Sequence, residues 1–60
     1  MTAWAMRRVS RDHRTYWLVW AGDLPGDARC VLATWDVATA AARLRELARL
    51  GYVVDGLEAA

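Results

Sequence analysis

The stretch Asp36–Gly51, DVATAAARLRELARLG, decides the fold of this chain. Its apolar residues recur at the i, i+3, i+4 and i+7 spacing of one helical stripe, and its charged residues lie off that stripe. Asp36 stands where an N-cap carboxylate accepts hydrogen bonds from the first turn, and Gly51 suits the left-handed position that ends a helix. The spacing predicts one amphipathic helix over about residues 36–50. Its stripe contains Val37, Ala40, Ala41, Leu44, Leu47 and Ala48.

Three apolar segments precede the helix. Trp4 to Val9 predicts a first strand, and Thr15 to Ala21 predicts a second because it is dense in aromatic and β-branched residues. Ala28 to Thr34 predicts a third strand. The polar run Ser10 to Arg14 indicates a turn, and Pro25-Gly26 suits a type II turn. Short strands joined by tight turns predict an antiparallel meander.

The chain after the helix is short. Tyr52 is expected to pack back on Leu47, as often happens beside a terminating glycine. Tyr52-Val53-Val54 predicts a short fourth strand or a sheet-edge segment, and Asp55 to Ala60 is expected to fray. The expected fold is therefore a single α+β domain, residues 1–60, in which a three-stranded antiparallel β-meander packs on one helix.

The second strand is apolar on both faces. Tyr16, Leu18 and Trp20 point one way, while Trp17 and Val19 point the other. One helix covers only one of these faces, and a one-residue slip in the hairpin register would exchange them. Under either register a second apolar face is left. Two interpretations stay open: the terminal segments bury part of that face, or the face is an interface.

The length of the chain and its cysteine content limit the ways in which the fold can be stabilised. A 60-residue domain buries only about 60% of its unfolded surface, so it needs dense packing, a cross-link, a metal or a partner. Cys30 is the only cysteine, which excludes an internal disulfide and a Cys-rich zinc site, and it is expected in the core. Dense aromatic packing or a homodimer is the remaining route. The free thiol, with no secretory signal and no membrane-spanning run, favours the cytoplasm.

Catalytic chemistry finds few candidates. His13, the one histidine, sits in a polar turn among arginines, where a solvated role is expected. Asp55 and Glu58 lie near the terminus and suit solvation better than paired acid–base chemistry. No glycine-rich phosphate loop and no metal-ligand cluster is present in the sequence. We therefore expect a non-enzymatic protein with no cofactor and no metal.

The first quarter of the chain is rich in arginine, although the net charge is only +1. Arginines beside aromatic residues can contact phosphates while the rings stack on bases. The predicted order, three strands followed by a packed helix, is also similar to that of AP2-type and integrase arm-binding DNA domains, and this resemblance implies DNA binding. The near-neutral balance favours instead a solvated hairpin tip or contact with an acidic protein surface. The candidate nucleic-acid-binding residues are Arg7, Arg8, Arg11 and Arg14.

Taken together, these features predict a small protein–protein interaction module or regulator that docks through an aromatic sheet face flanked by arginines. The partner is a second copy or a host protein; nucleic-acid binding is the alternative. The use of Arg at every basic position favours a GC-rich bacterial or phage gene. If the helix covers Tyr16, Leu18 and Trp20, the anchors are Trp17 and Val19; otherwise the two sets exchange roles. The expected partner-binding residues are Trp17, Val19, Trp4 and Trp35.

Overall fold

A four-stranded sheet with one helix against it forms the structure, a computed structural model that describes residues 1–23 and 26–58. The strands lie in the order β3-β2-β1-β4. β1, β2 and β3 form the predicted antiparallel meander, and β4 pairs parallel with β1. The α+β fold expected from the sequence is therefore confirmed. The elements are β1 (Thr2–Val9), β2 (Thr15–Gly22), β3 (Arg29–Thr34), α1 (Val37–Arg49) and β4 (Val53–Glu58).

The helix begins where the sequence predicts. The Asp36 carboxylate accepts a hydrogen bond from the Ala38 backbone N–H at 3.2 Å and another from the Thr39 hydroxyl at 2.9 Å. The Asp36 backbone N–H in turn donates to the Thr34 hydroxyl oxygen at 3.1 Å. The bond from Ala38 satisfies a backbone donor that a helix N-terminus otherwise leaves unpaired, and the three bonds together fix the start of α1 directly after β3.

The helix ends at a glycine in the left-handed region, as expected. Gly51 has φ of 101°, and its N–H donates to the Ala48 carbonyl at 3.1 Å. The Tyr52 N–H donates to the Leu47 carbonyl at 3.1 Å, which completes a Schellman motif. Tyr52 also packs against the hydrophobic core. This closure turns the chain back toward the sheet and delivers it to β4.

The core between helix and sheet is built largely from small residues. The pairing of β1 with β2 sets Ala3 opposite Ala21 and Ala5 opposite Val19. Val19 is the largest side chain that is fully buried. Alanine has little bulk beyond Cβ, so the helix can lie close to the sheet, but each alanine buries little apolar area. The seven core residues are Ala3, Ala5, Val19, Ala21, Ala40, Leu44 and Leu47.

The segment after the helix differs from expectation. The strand predicted over 52–54 is observed, but β4 begins at Val53 and continues to Glu58, so the prediction that the chain frays from Asp55 was wrong for residues 55–58. Residues 59–60 lie outside the described part of the chain. A register shift leaves Asp55 unpaired, as in a β-bulge. Because the bulge breaks the alternation of side chains, the sequence pattern of a strand is hidden there.

The two predicted turns have different outcomes. The turn between β1 and β2 is observed, with the Ser10 N–H donating to the Arg14 carbonyl at 2.9 Å and the His13 N–H donating to the Ser10 carbonyl at 3.0 Å. His13 has φ of 64°, the left-handed conformation of a tight turn. The predicted type II turn at Pro25-Gly26 includes Pro25, which lies outside the described residues.

Replacement of Val19 by Ala tests the core. We expect Val19→Ala to lower the free energy of unfolding by about 2 kcal/mol, because it removes two buried methyl groups and leaves a cavity. Urea denaturation followed by circular dichroism measures the change. Val31→Ala is the matched control, since Val31 is 41% exposed, and it should cost less than about 0.5 kcal/mol. Equal losses in the two variants would contradict the observed register.

Candidate functional site: an open aromatic sheet face

The face of the sheet opposite the helix holds most of the aromatic side chains. Along β1 and β2, the pairs on this face are Trp4 with Trp20, Met6 with Leu18 and Arg8 with Tyr16. Of six aromatic residues in the chain, four lie on or beside this face, and the other two pack against the core. We call this surface the open face; it comprises Trp4, Met6, Arg8, Tyr16, Leu18, Trp20, Ala33 and Trp35.

The register decides between the two arrangements that the sequence left open. Val19 is fully buried beneath the helix, and Trp17 packs against the same core. Val19 is thus enclosed, and the partly buried Trp17 lies on the helix side, so of the two arrangements the observed register is the one in which Trp17 and Val19 are not the anchors of the open face. The roles exchange, so that Leu18 and Trp20 lie on the open face. Trp4 lies there too, as the partner of Trp20 across β1 and β2.

Two tryptophans form the centre of the open face. The Trp4 and Trp20 rings are stacked, with centroids 6.3 Å apart and planes inclined by 11°. Their strands are neighbours and the residues are directly opposite, so the rings meet without bending the backbone. Both side chains are only partly buried. The Trp20 Nε1–H is nevertheless shielded and has no hydrogen-bond acceptor among the described residues, which is a cost this face retains.

A second aromatic pair lies at one end of the open face. Tyr16 and Trp35 meet edge to face, with ring centroids 5.5 Å apart. The Arg14 guanidinium lies over the Trp35 ring, 4.2 Å from its centroid, in a cation–π contact. A half-open cleft of about 160 Å³ is lined by Tyr16, Ala33, Thr34 and Trp35. This volume is below the usual range for small-molecule sites and suits one or two side chains of a partner.

The arginines of the first hairpin do not converge on one surface. Arg7 pairs with Trp17 and so belongs to the helix side of β1, whereas Arg8 belongs to the open face. The Arg8 guanidinium donates to the Arg7 carbonyl at 3.2 Å and lies 3.7 Å from the Met6 sulfur, so it runs back over the open face. Arg11 is exposed in the turn. Of the four arginines singled out in the sequence, only Arg8 and Arg14 border the open face.

Two aspartates, Asp23 and Asp27, follow the other end of β2. Gly22 lies there with φ of 144°, and a Cβ added to it would meet the Asp27 backbone and the Ala28 Cα, the latter at 2.8 Å. The backbone of residues 27–28 is thus pressed against the open-face side of Gly22. The Asp27 N–H donates to the Asp23 carbonyl at 2.9 Å. The exposed Asp23 carboxylate lies 3.7 Å from the terminal amine of Met1, which partly balances its charge.

The residues that could act as a nucleophile, a base or a metal ligand do not come together in one site among the described residues. Cys30 is exposed, so its expected core position was wrong; it lies on an edge strand opposite Trp20. His13 is exposed in the turn, as expected. In the described part of the chain, no three side chains of His, Cys, Asp or Glu come close enough together to hold a metal ion.

Comparison with known proteins finds nothing: no family model, no curated protein and no solved structure matches this chain. α1, the helix that the structure describes, is neither long enough nor apolar enough to cross a membrane. The geometry of the open face is therefore the basis for assigning a function.

Replacement of Gly22 by Ala tests the packing of residues 27–28 against Gly22. We expect Gly22→Ala to destabilise the chain by about 3 kcal/mol, because the added methyl group meets backbone atoms in an already unfavourable φ region. Gly51→Ala is the matched control: its φ is also positive, but no atom lies within 4 Å of the added Cβ, so about 1 kcal/mol is expected. Thermal unfolding compares them. Losses of the same size would mean that residues 27–28 do not pack on Gly22.

Proposed function

We propose that this chain is a small non-enzymatic protein–protein interaction module that docks through its open face. The observation behind the proposal is the distribution of side chains between the two faces of the sheet. The buried sheet residues under the helix are alanine and valine, with the partly buried Trp17 packed against them, whereas Trp4, Leu18, Trp20 and Trp35 lie on the uncovered side. An apolar patch on the outside of a protein this small costs solubility and gains nothing unless a partner covers it.

The residue types on the open face are those that dominate binding energies at protein interfaces. Trp, Tyr and Arg are enriched at hot spots because they bury large areas with few rotatable bonds or make several hydrogen bonds. Trp35 is 54% exposed and forms one wall of the cleft with Tyr16. The apolar centre, bordered by Arg8 and Arg14, has the layout of an interface core with a polar rim.

The face is better suited to docking than the sheet edges are. Pairing along an edge needs a regular row of free backbone groups, and a bulge interrupts such a row. In β3, Val31 is left unpaired between Leu32 and Cys30, and in β4 Asp55 is left unpaired. Both edge strands are therefore irregular, so a partner is expected to cover the side chains of the face rather than to add a strand.

Nucleic-acid binding has weaker support. Arg7 and Arg8 belong to opposite sides of β1, so the four arginines of the first hairpin do not form one basic surface. The net charge of +1 provides little long-range attraction to phosphate.

We also propose that the protein acts in the reducing cytoplasm of a bacterium or phage host. The exposed free thiol of Cys30 supports the compartment, and the use of arginine at every Lys or Arg position supports the origin.

Photo-crosslinking tests the proposed docking face. A benzophenone-bearing amino acid is introduced in place of Ala33, which is exposed on the open face, or in place of Ala42, which is exposed on the helix. Irradiation of producing cells should give a discrete protein adduct at position 33 and little at position 42. Adding Leu18→Glu should abolish the adduct, since a buried unpaired charge opposes docking. Adding Leu50→Glu, at a residue 71% exposed beyond the helix, should leave it unchanged.

Equal adduct yields at positions 33 and 42, or no adduct at either, would contradict the proposal. Adducts that survive Leu18→Glu would show that the contact is not through the apolar centre of the open face.

Oligonucleotide titration distinguishes the alternative. We expect neither single-stranded nor duplex DNA to quench the tryptophan fluorescence appreciably at physiological salt, because few phosphates are neutralised. Nucleic-acid binding would instead show quenching that falls steeply with salt and is lost when four arginines are replaced by Ala. Those arginines are Arg7, Arg8, Arg11 and Arg14.

A further inference from the structure

We infer that the partner of the open face is a second copy of this chain, stacked face to face with its strands running in the opposite direction. This inference rests on the proposed function and adds the identity of the partner and its orientation. It follows from the arrangement of charge along β2. Arg14 and Arg8 border one end of the open face, whereas two aspartates follow the other end of β2: Asp27, whose backbone packs against Gly22, and Asp23, whose carboxylate lies near the Met1 amine.

Symmetry leaves two simple ways to stack identical sheet faces. A two-fold axis parallel to the strands sets like ends over like ends, so Arg14 would meet the partner's Arg14. A two-fold axis in the interface plane and perpendicular to the strands reverses the second sheet. Each strand then lies over its own copy, and the Arg14 end meets the partner's Asp27 end. Opposite charges attract and like charges repel across an interface, so the second arrangement is selected.

The apolar rows of the open face fit the same axis. Trp4 and Trp20 form one row across the strands, and Met6 and Leu18 form the next. An axis that passes between these rows lays the tryptophans of one copy over the methionine and leucine of the other. Large rings therefore meet smaller, flexible side chains rather than each other, which allows the two faces to interdigitate.

The area available is sufficient for a specific dimer. Four strands about 4.8 Å apart, the longest of them eight residues, span a face of roughly 20 by 25 Å, or about 500 Å² in projection. Two copies together present about 1,000 Å² in projection, and accessible area exceeds projected area because side chains protrude. A specific interface needs about 1,000 Å² in total. Burial of this face would also supplement a core in which four of seven residues are alanine.

Charge reversal tests both the partner and the orientation, using sedimentation equilibrium of the purified chain over a concentration series. The wild-type chain should be a dimer. Arg14→Glu should weaken the dimer about tenfold, because two attractive pairs become repulsive. The double variant R14E/D27R should recover wild-type affinity within about twofold, since each pair is restored with its signs exchanged. Both residues are exposed, so neither change threatens folding. Arg45→Glu, on the exposed side of the helix, is the charge-matched control and should have no effect.

The sedimentation and crosslinking results together distinguish a failure of the dimer from a failure of the docking face. A monomer at every concentration overturns the dimer, while a position-33 adduct with a different protein leaves the docking face standing. A monomer with no adduct in cells removes both. A dimer that Arg14→Glu does not weaken, or that the double variant does not restore, overturns the antiparallel orientation. A position-33 adduct with twice the mass of the chain supports the inference.

Discussion

The cross-strand pairing of β1 with β2 is the constraint on which the rest of the structure depends. It places Ala3 and Ala5 beside Val19 and Ala21, and together these small side chains form the surface of the sheet on which the helix packs. Small side chains on the sheet let α1 pack closely against it, and the buried side chains of the helix are themselves small or medium in size. The same pairing sends every alternate residue to the opposite side of the sheet. The register that puts the small residues under the helix therefore also puts Trp4 and Trp20 on the open face.

As a consequence, the two apolar faces of the sheet differ in the size of their side chains. The helix side receives side chains that fit a tight contact, with the larger rings of Trp17 and Tyr52 at its margin. The open side receives the stacked indoles of Trp4 and Trp20. Area-based stabilisation scales with the surface removed from water, so a core rich in alanine gives a small domain little reserve. Covering the open face is the most direct way for this chain to gain more.

Charge follows the same geometry. The hairpin that begins β2 carries Arg14, and the connection that leaves β2 carries Asp23 and Asp27. β2 is thus preceded by a basic residue and followed by two acidic residues. The open face is therefore apolar in its centre and differs in charge between its two ends. A charge difference of this kind allows a surface to favour one orientation of its partner. The formal net charge of +1 conceals this separation because the two ends nearly cancel.

The sequence by itself determined the features that depend on local interactions. The helix and its ends follow from side-chain spacing, from the capping carboxylate of Asp36 and from the backbone freedom of Gly51, all of which act within a few residues. The three antiparallel strands follow from composition between turn signals. Only the tertiary structure decided which apolar set the helix covers, because strand side chains alternate with a period of two and a slip of one residue exchanges the faces. It also decided the length of β4, whose parallel pairing with the distant β1 has no local signal. The close approach of the Asp27 backbone to Gly22 depends in the same way on tertiary structure, because spacing along the chain does not specify it.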